Sequence, residues 1–161
     1  LYVVHVGDSR CYLLRGGRLE QVTRDHTIAQ QLVERGTLTP EQAEESRWSH
    51  ILWNCLGGGS HELKPEVYKA SLRLGDSLLL CSDGLSKVVD DARIRDLLGQ
   101  SLAAEETCRR LVAAANAAGG PDNITVVVAH FREADEAAHA QGHAAQARAA
   151  GAPAELVGNR G

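Results

Sequence analysis

The sequence predicts an α+β fold. Three observations carry this: short β-rich runs separated by glycine turns, two capped helical segments within a polar stretch, and two further helical runs ahead of a last apolar strand.

Residues 1–6 are β-rich and end at Gly7-Asp8, a strand-exit signal. Residues 11–15 and 18–23 flank Gly16-Gly17 and read as a hairpin, because glycine accepts the positive φ of a tight turn. Ile28, Leu32 and Val33 fall at helical spacing, and Gly36 supplies a stop. Thr39-Pro40-Glu41-Gln42 opens a second short helix, running to about Ser46. It has a hydroxyl cap, proline at the first helical position, and Gln42 placed for a capping box. Two helices in a polar segment between strands read as a surface insertion.

Residues 67–72 and 77–81 form two more strands around Gly75-Asp76. Leu78-Leu79-Leu80-Cys81 is apolar on both faces, which suits a central strand. Residues 92–98 form a short helix and 102–118 a longer one. The longer one carries Cys108, Leu111, Val112 and Ala115 as one stripe and stops at Gly119-Gly120. Residues 124–131 are the last buried strand. From 132 to 161 alanine, glycine and polar residues dominate, so this segment is expected to be a mobile tail or linker beyond a domain at 1–131.

Composition narrows the functional classes. The chain has 161 residues, 43% hydrophobic and 24% charged, enough for one domain with a core. Its net charge of -4 lacks the basic field that grips nucleic acid. No apolar run approaches the ~20 residues that span a bilayer. The four cysteines, Cys11, Cys55, Cys81 and Cys108, form no C-x-x-C pair and read as reduced core thiols in a cytoplasmic protein. No histidine pair has zinc spacing. The chain contains no methionine and opens inside a β-rich run, so further sequence is expected upstream of Leu1.

Three aspartates stand where core strands meet loops: Asp8 after the first strand, Asp83 after the strand ending at Cys81-Ser82, and Asp122 before the last strand. Strands can aim such carboxylates at one point. Clustered carboxylates repel unless a cation neutralises them, and hard oxygen ligands suit Mg²⁺ or Mn²⁺. Each signal alone is weak, since Asp-Gly is first of all a turn dipeptide. Three in order, each abutting an apolar strand, are harder to dismiss.

At these residues the sequence resembles the protein phosphatase 2C family, metal-dependent protein serine/threonine phosphatases of bacterial type. Val6-Gly7-Asp8-Ser9-Arg10, with Tyr12-Leu13 and Thr23-Arg24-Asp25-His26, looks like the middle of that family. Leu80-Cys81-Ser82-Asp83-Gly84-Leu85 and Gly120-Pro121-Asp122-Asn123-Ile124-Thr125-Val126-Val127 look like its later metal motifs. The match runs over residues 1–131 and corresponds to a C-terminal portion.

The resemblance implies a sandwich of two antiparallel β-sheets flanked by helices, in α-β-β-α layers, incomplete here at its N-terminal side. It implies that Asp83 and Asp122 bind a pair of Mg²⁺ or Mn²⁺ ions and that Asp8 serves a weaker third. Residues from about 26 to 50 would be a flap beside the active site. The substrates would be phosphorylated proteins, with a serine/threonine kinase as counterpart. An N-terminal acidic ligand, an Asp-Gly motif with a metal-bridging carboxylate, and a phosphate-binding arginine have no match in this chain. Catalytic groups are therefore expected upstream of Leu1, and residues 1–161 alone are expected to be inactive and poorly soluble.

Two departures stand out. The family often has an acid four residues after the Ser-Asp-Gly aspartate, and here that position is Lys87. Where bacterial relatives often read Thr-Arg-Ala-Leu-Gly, this chain has Trp53-Asn54-Cys55-Leu56-Gly57. Two rival readings remain. Gly7-Asp8-Ser9 also opens the signature of GDS-type esterases, but Asp135 and His139 have one residue too many between them for the Asp-x-x-His partner. A phosphatase-like module that only binds partners is the other, and Lys87 leans towards it.

Overall fold

Gly16 and Gly17 adopt φ of 55° and 79°. This double positive turn closes the hairpin between β2 (Arg10–Arg15) and β3 (Arg18–Gln21), with Arg15 opposite Arg18. The computed structural model describes residues 1–57 and 63–133. Its other strands are β1 (Tyr2–His5), β4 (Glu66–Lys69), β5 (Ser77–Cys81) and β6 (Val126–His130). All pairings are antiparallel: β1 with β4 in one sheet, and β3-β2-β5-β6 in the other. The α+β class and the two antiparallel sheets with helices match the sequence reading. The expected strand at 67–72 forms earlier, at Glu66–Lys69, and the last strand is shorter than 124–131.

The first helices are α1 (Ile28–Glu34) and α2 (Pro40–Glu44). Thr27 caps α1 by accepting from the Gln30 backbone N–H, and α2 has the full reciprocal box between Thr39 and Gln42. The segment carrying them leaves and returns at one place, because Thr27 bridges Leu52 and the Ile28 N–H donates to the Ile51 carbonyl at 2.8 Å. Three helices follow β5: α3 (Asp83–Ser86), α4 (Asp91–Leu98) and α5 (Ala104–Ala117).

The core lies between these last helices and one face of the larger sheet. Tyr12, Leu79 and Leu14 from the strands meet Leu85, Ile94, Leu98, Leu111 and Ala115. Leu79 sits in register between Tyr12 and Val128. β5 is central, as its sequence suggests, but it is not buried on both faces: Leu80 is 46% exposed and its neighbour Val127 54%. The smaller sheet likewise presents Tyr2, Val4 and Val67 to solvent. A cavity of about 470 Å³ with a mixed lining opens between the sheets, bordered by Val3, Val6, Leu80 and Val127 and also by Ser9 and Ser82. All four cysteines are free. The expected mobile tail falls, beyond residue 133, outside the described residues.

Arginines hold both ends of β2. Arg10 grips Asp25, and Arg15 makes a two-point contact with Asp76 at 2.8 and 2.6 Å. Asp76 is 2% exposed and also accepts from the Arg73 backbone N–H at 2.8 Å. Its own carbonyl accepts from Phe131, closing the end of the sheet. The Arg15 guanidinium, aided by the Arg73 N–H, holds the Asp76 carboxyl down at about 2. A carboxyl with a depressed pKa stabilises the fold above its unfolded value, 3.8, and loses that contribution as pH falls towards 2. Asp76→Ala is therefore expected to cost about 1–3 kcal/mol at neutral pH. In urea unfolding, the gap between the variant and the parent should shrink as pH falls below 4 and approach closure near 2. A gap independent of pH would contradict this.

Candidate active site

Gly7 takes a φ of 110°, which an L side chain rarely adopts, and so turns the chain out of β1. Its peptide is held on both sides by His26: the Gly7 N–H donates to His26 Nδ1 at 3.1 Å, and the Gly7 carbonyl accepts from the His26 N–H at 2.8 Å. Asp8 follows directly. Arg10, two residues on, fixes the start of β2 by gripping Asp25, which Gln21 also contacts. Thr23 accepts from the Cys11 N–H at 2.9 Å. The Thr23-Arg24-Asp25-His26 stretch thus braces the loop that presents Asp8. From the sequence this stretch carries only the family resemblance and, at His26, the start of the expected flap, with no bracing role. The available signal was its polar, ring-bearing composition directly after a strand.

At the far end of β5, Ser82 stitches two loops together. Its hydroxyl donates to the Asn123 carbonyl at 2.9 Å and accepts from the Thr125 N–H at 3.0 Å, while its own N–H donates to the Thr125 carbonyl. Asp83 then opens α3, a single turn that the sequence reading had not separated from the strand end. Gly84 makes the interlock possible, since a Cβ there would lie 2.4 Å from the Asn123 carbonyl oxygen. Asp122 lies in the facing loop, four residues before β6 rather than directly against it. One of its oxygens accepts from the Asn123 N–H at 2.7 Å.

The structure brings Asp8 and Asp83 together around one cation, the Lys87 ammonium. Lys87 bonds the Asp83 carboxylate one helical turn back and lies 3.6 Å from Asp8. Burial opposes its charge, but Asp83 and Asp8 outweigh that and raise the Lys87 pKa. The Asp122 loop approaches the Asp83 turn through Ser82 and Gly84, which pack on the Asp122–Asn123 backbone. Among the described residues no three His, Cys, Asp or Glu side chains converge closely enough to hold a metal ion. The oxygen donors suit a hard cation, but they form only part of a ligand set, and an ammonium already joins two of them. None of the three aspartates lines the cavity between the sheets, although Ser9 and Ser82, beside Asp8 and Asp83, do. The esterase partners weighed for Ser9, Asp135 and His139, lie outside the described residues.

The chain is 45% identical over 135 residues to the serine/threonine protein phosphatase PstP of Mycobacterium tuberculosis, covering 84% of this chain and 26% of PstP. It is 39% identical over 131 residues to the protein phosphatase PhpP of Streptococcus pneumoniae, covering 81% of this chain and 53% of PhpP. The chain thus spans about a quarter of one relative and half of the other. Among solved structures it superposes on the M. tuberculosis phosphatase PstP/Ppp with a TM-score of 0.76 at 45% identity, over 82% of this chain and 55% of that one. The PstP catalytic domain in complex with two manganese ions gives 0.72 at 44% identity, over 82% of this chain and 54% of that one. No protein-family model matches the chain.

Gly84→Ala tests the interlock between the two aspartate loops. The added methyl must displace backbone, so a loss of about 1–3 kcal/mol is expected. The amide resonances of Asp122 and Asn123 should shift with it. Unchanged stability together with unchanged resonances would show that the loops are not held by this contact.

Proposed function

Because this chain belongs to the protein phosphatase 2C family of metal-dependent serine/threonine phosphatases, we propose that it contributes to hydrolysis of phosphoserine and phosphothreonine in proteins. The observation that supports this most is the Ser82–Gly84 interlock with Asn123, which draws the Asp83 and Asp122 loops against each other. In this reading Asp83 and Asp122 hold a pair of Mg²⁺ or Mn²⁺ ions together with ligands beyond this set, and Asp8 serves a weaker third. Such a pair supplies a water of lowered pKa and neutralises charge on the phosphoryl group. The chain's own part is to deliver carboxylates on rigid strand ends, with no side chain of its own as nucleophile. A relative containing two manganese ions supports the count of two.

Residues 26–50, which carry α1 and α2, act as the flap in this reading, and their closed ends at Thr27 and Leu52 suit a unit that moves as one piece. In this reading the domain extends over 1–131 and residues 132–161 are a tail or linker. The substrates are phosphoproteins made by a serine/threonine kinase, and the setting is cytoplasmic. Among the described residues no helix is long and apolar enough to cross a membrane. One observation favours a second reading, a non-catalytic phosphatase-like binding module: the Lys87 ammonium stands between two of the three carboxylates.

Two measurements on the full-length protein separate these readings. Asp83→Asn or Asp122→Asn should lower phosphopeptide turnover at fixed Mn²⁺ by more than the roughly 10–100-fold typical of groups one shell further out. Near-normal turnover in either variant would refute the assignment, and absence of Mn²⁺ binding by calorimetry would favour the binding module. Lys87→Asp exchanges a repelling charge for an attracting one and should tighten the weakest Mn²⁺ step by roughly tenfold. An unchanged metal titration would show that Lys87 does not govern that step.

A further inference from the structure

His26 is 1% exposed and has one partner it cannot share a proton with. A backbone N–H can only donate, so the Gly7 N–H, 3.1 Å away, requires His26 Nδ1 to be a bare acceptor. The Asn54 side-chain nitrogen, 2.9 Å from the same atom, agrees with this. Its orientation is set independently by the main chain of Lys64, whose carbonyl accepts from Asn54 Nδ2 at 2.7 Å and whose N–H donates to Asn54 Oδ1 at 3.2 Å. The ring proton must then sit on Nε2, which is buried without a hydrogen-bond partner, 3.7 Å from a Glu66 oxygen. The ring packs between His5 and Trp53, with centroids at 4.7 and 4.9 Å.

We propose that His26 is a positioning residue: as the neutral Nε2–H tautomer it clamps the Gly7 peptide, and thereby aims Asp8, while tying that loop through Asn54 to the chain returning from α2. The Gly7–His26 contacts run both ways, through backbone and ring. The Trp53 N–H donates to the His26 carbonyl at 3.0 Å, so the returning segment registers on His26 twice. A displacement of Asn54 therefore reaches Asp8 through one ring. The loop-positioning claim stands on these contacts alone. Its consequence for cation binding rests on the assignment of Asp8 as a metal ligand.

Protonation of Nδ1 would set a third donor against the two donors already there, so the clamp exists only with the ring neutral. The ionisable groups facing it are His5 on β1, Glu66 on β4, the adjacent Asp25, and Arg24, which pairs with Glu66 at 3.7 Å. Burial and then His5 lower the His26 pKa, against the opposing pull of Glu66 and Asp25. The clamp should thus be intact above the ordinary histidine value of 6.5 and open only below it.

Long-range nitrogen–proton NMR of the full-length protein, with His26→Phe to identify the resonance, reads the tautomer directly. A bare Nδ1 that gains its proton only below pH 6.5 is expected, whereas an Nδ1–H ring at neutral pH would overturn the proposal. The Gly7 amide should exchange faster in His26→Phe, and unchanged exchange would equally overturn it. Mn²⁺ titration then tests the consequence. His26→Phe should weaken by roughly tenfold the step that Asp8→Asn removes. If Asp8→Asn has no effect on Mn²⁺, the metal role of Asp8 fails while the tautomer and exchange still decide the clamp. If Asp8→Asn acts and His26→Phe does not, the aiming role of His26 fails.

Discussion

Strand β5 is paired on both edges, to β2 and to β6, and the register of those pairings controls the rest of the structure. Leu79 and Cys81 face the helices and are buried, whereas Leu80 faces the other way and is half exposed. A slip of one residue would exchange these sets and strand the core side chains on the wrong face. The same register decides where Ser82 leaves the sheet. Ser82 in turn fixes the approach of the 122–125 loop, because its hydroxyl and backbone together make three bonds to that segment. The geometry of the candidate site is therefore a consequence of strand pairing, carried outward by a single serine.

Charge pairing works on top of this frame. Arg10 and Arg15 anchor the two ends of β2 to Asp25 and Asp76, partners 15 and 61 residues away in the chain. Both use two guanidinium nitrogens on one carboxylate, a geometry that lysine cannot supply. Lys87 does a different task with a point charge, sitting between Asp8 and Asp83 where two loops from different strands meet. A carboxylate pair of this kind needs a positive partner at short range, and the structure provides one from within the chain.

The relatives share this part of the fold at 0.72 to 0.76 in TM-score, over little more than half of their own solved chains. The described residues cover one face of the larger sheet with helices and leave apolar side chains on other strand faces, among them Leu80, Val127, Tyr2, Val4 and Val67. The cavity lies on that less covered side, between the sheets. The aspartates do not line it, but Ser9 and Ser82, the chain neighbours of Asp8 and Asp83, do, so the cavity borders the strand ends that carry the candidate site.

Local chemistry was legible in the sequence. The Gly16-Gly17 hairpin, the Thr39–Gln42 capping box and the end of α5 at Gly119 all depend on neighbours within a few residues, and each formed where its residues stand. The three aspartates and their order could likewise be read, because short motifs mark them. The sequence could not say that Leu80 would be half exposed, because a strand apolar on both faces looks the same whether one face is covered or two. The resemblance puts the Lys87 charge beside Asp83 and near Asp8, but the sequence could not reveal that the ammonium would pair with Asp8 directly, or that His26 would hold Gly7 with its ring and its backbone at once. Those contacts link residues 19 to 79 positions apart in the chain. Only the pairing of strands brings them within reach, and hydrogen bonds and ion pairs are decided at that distance.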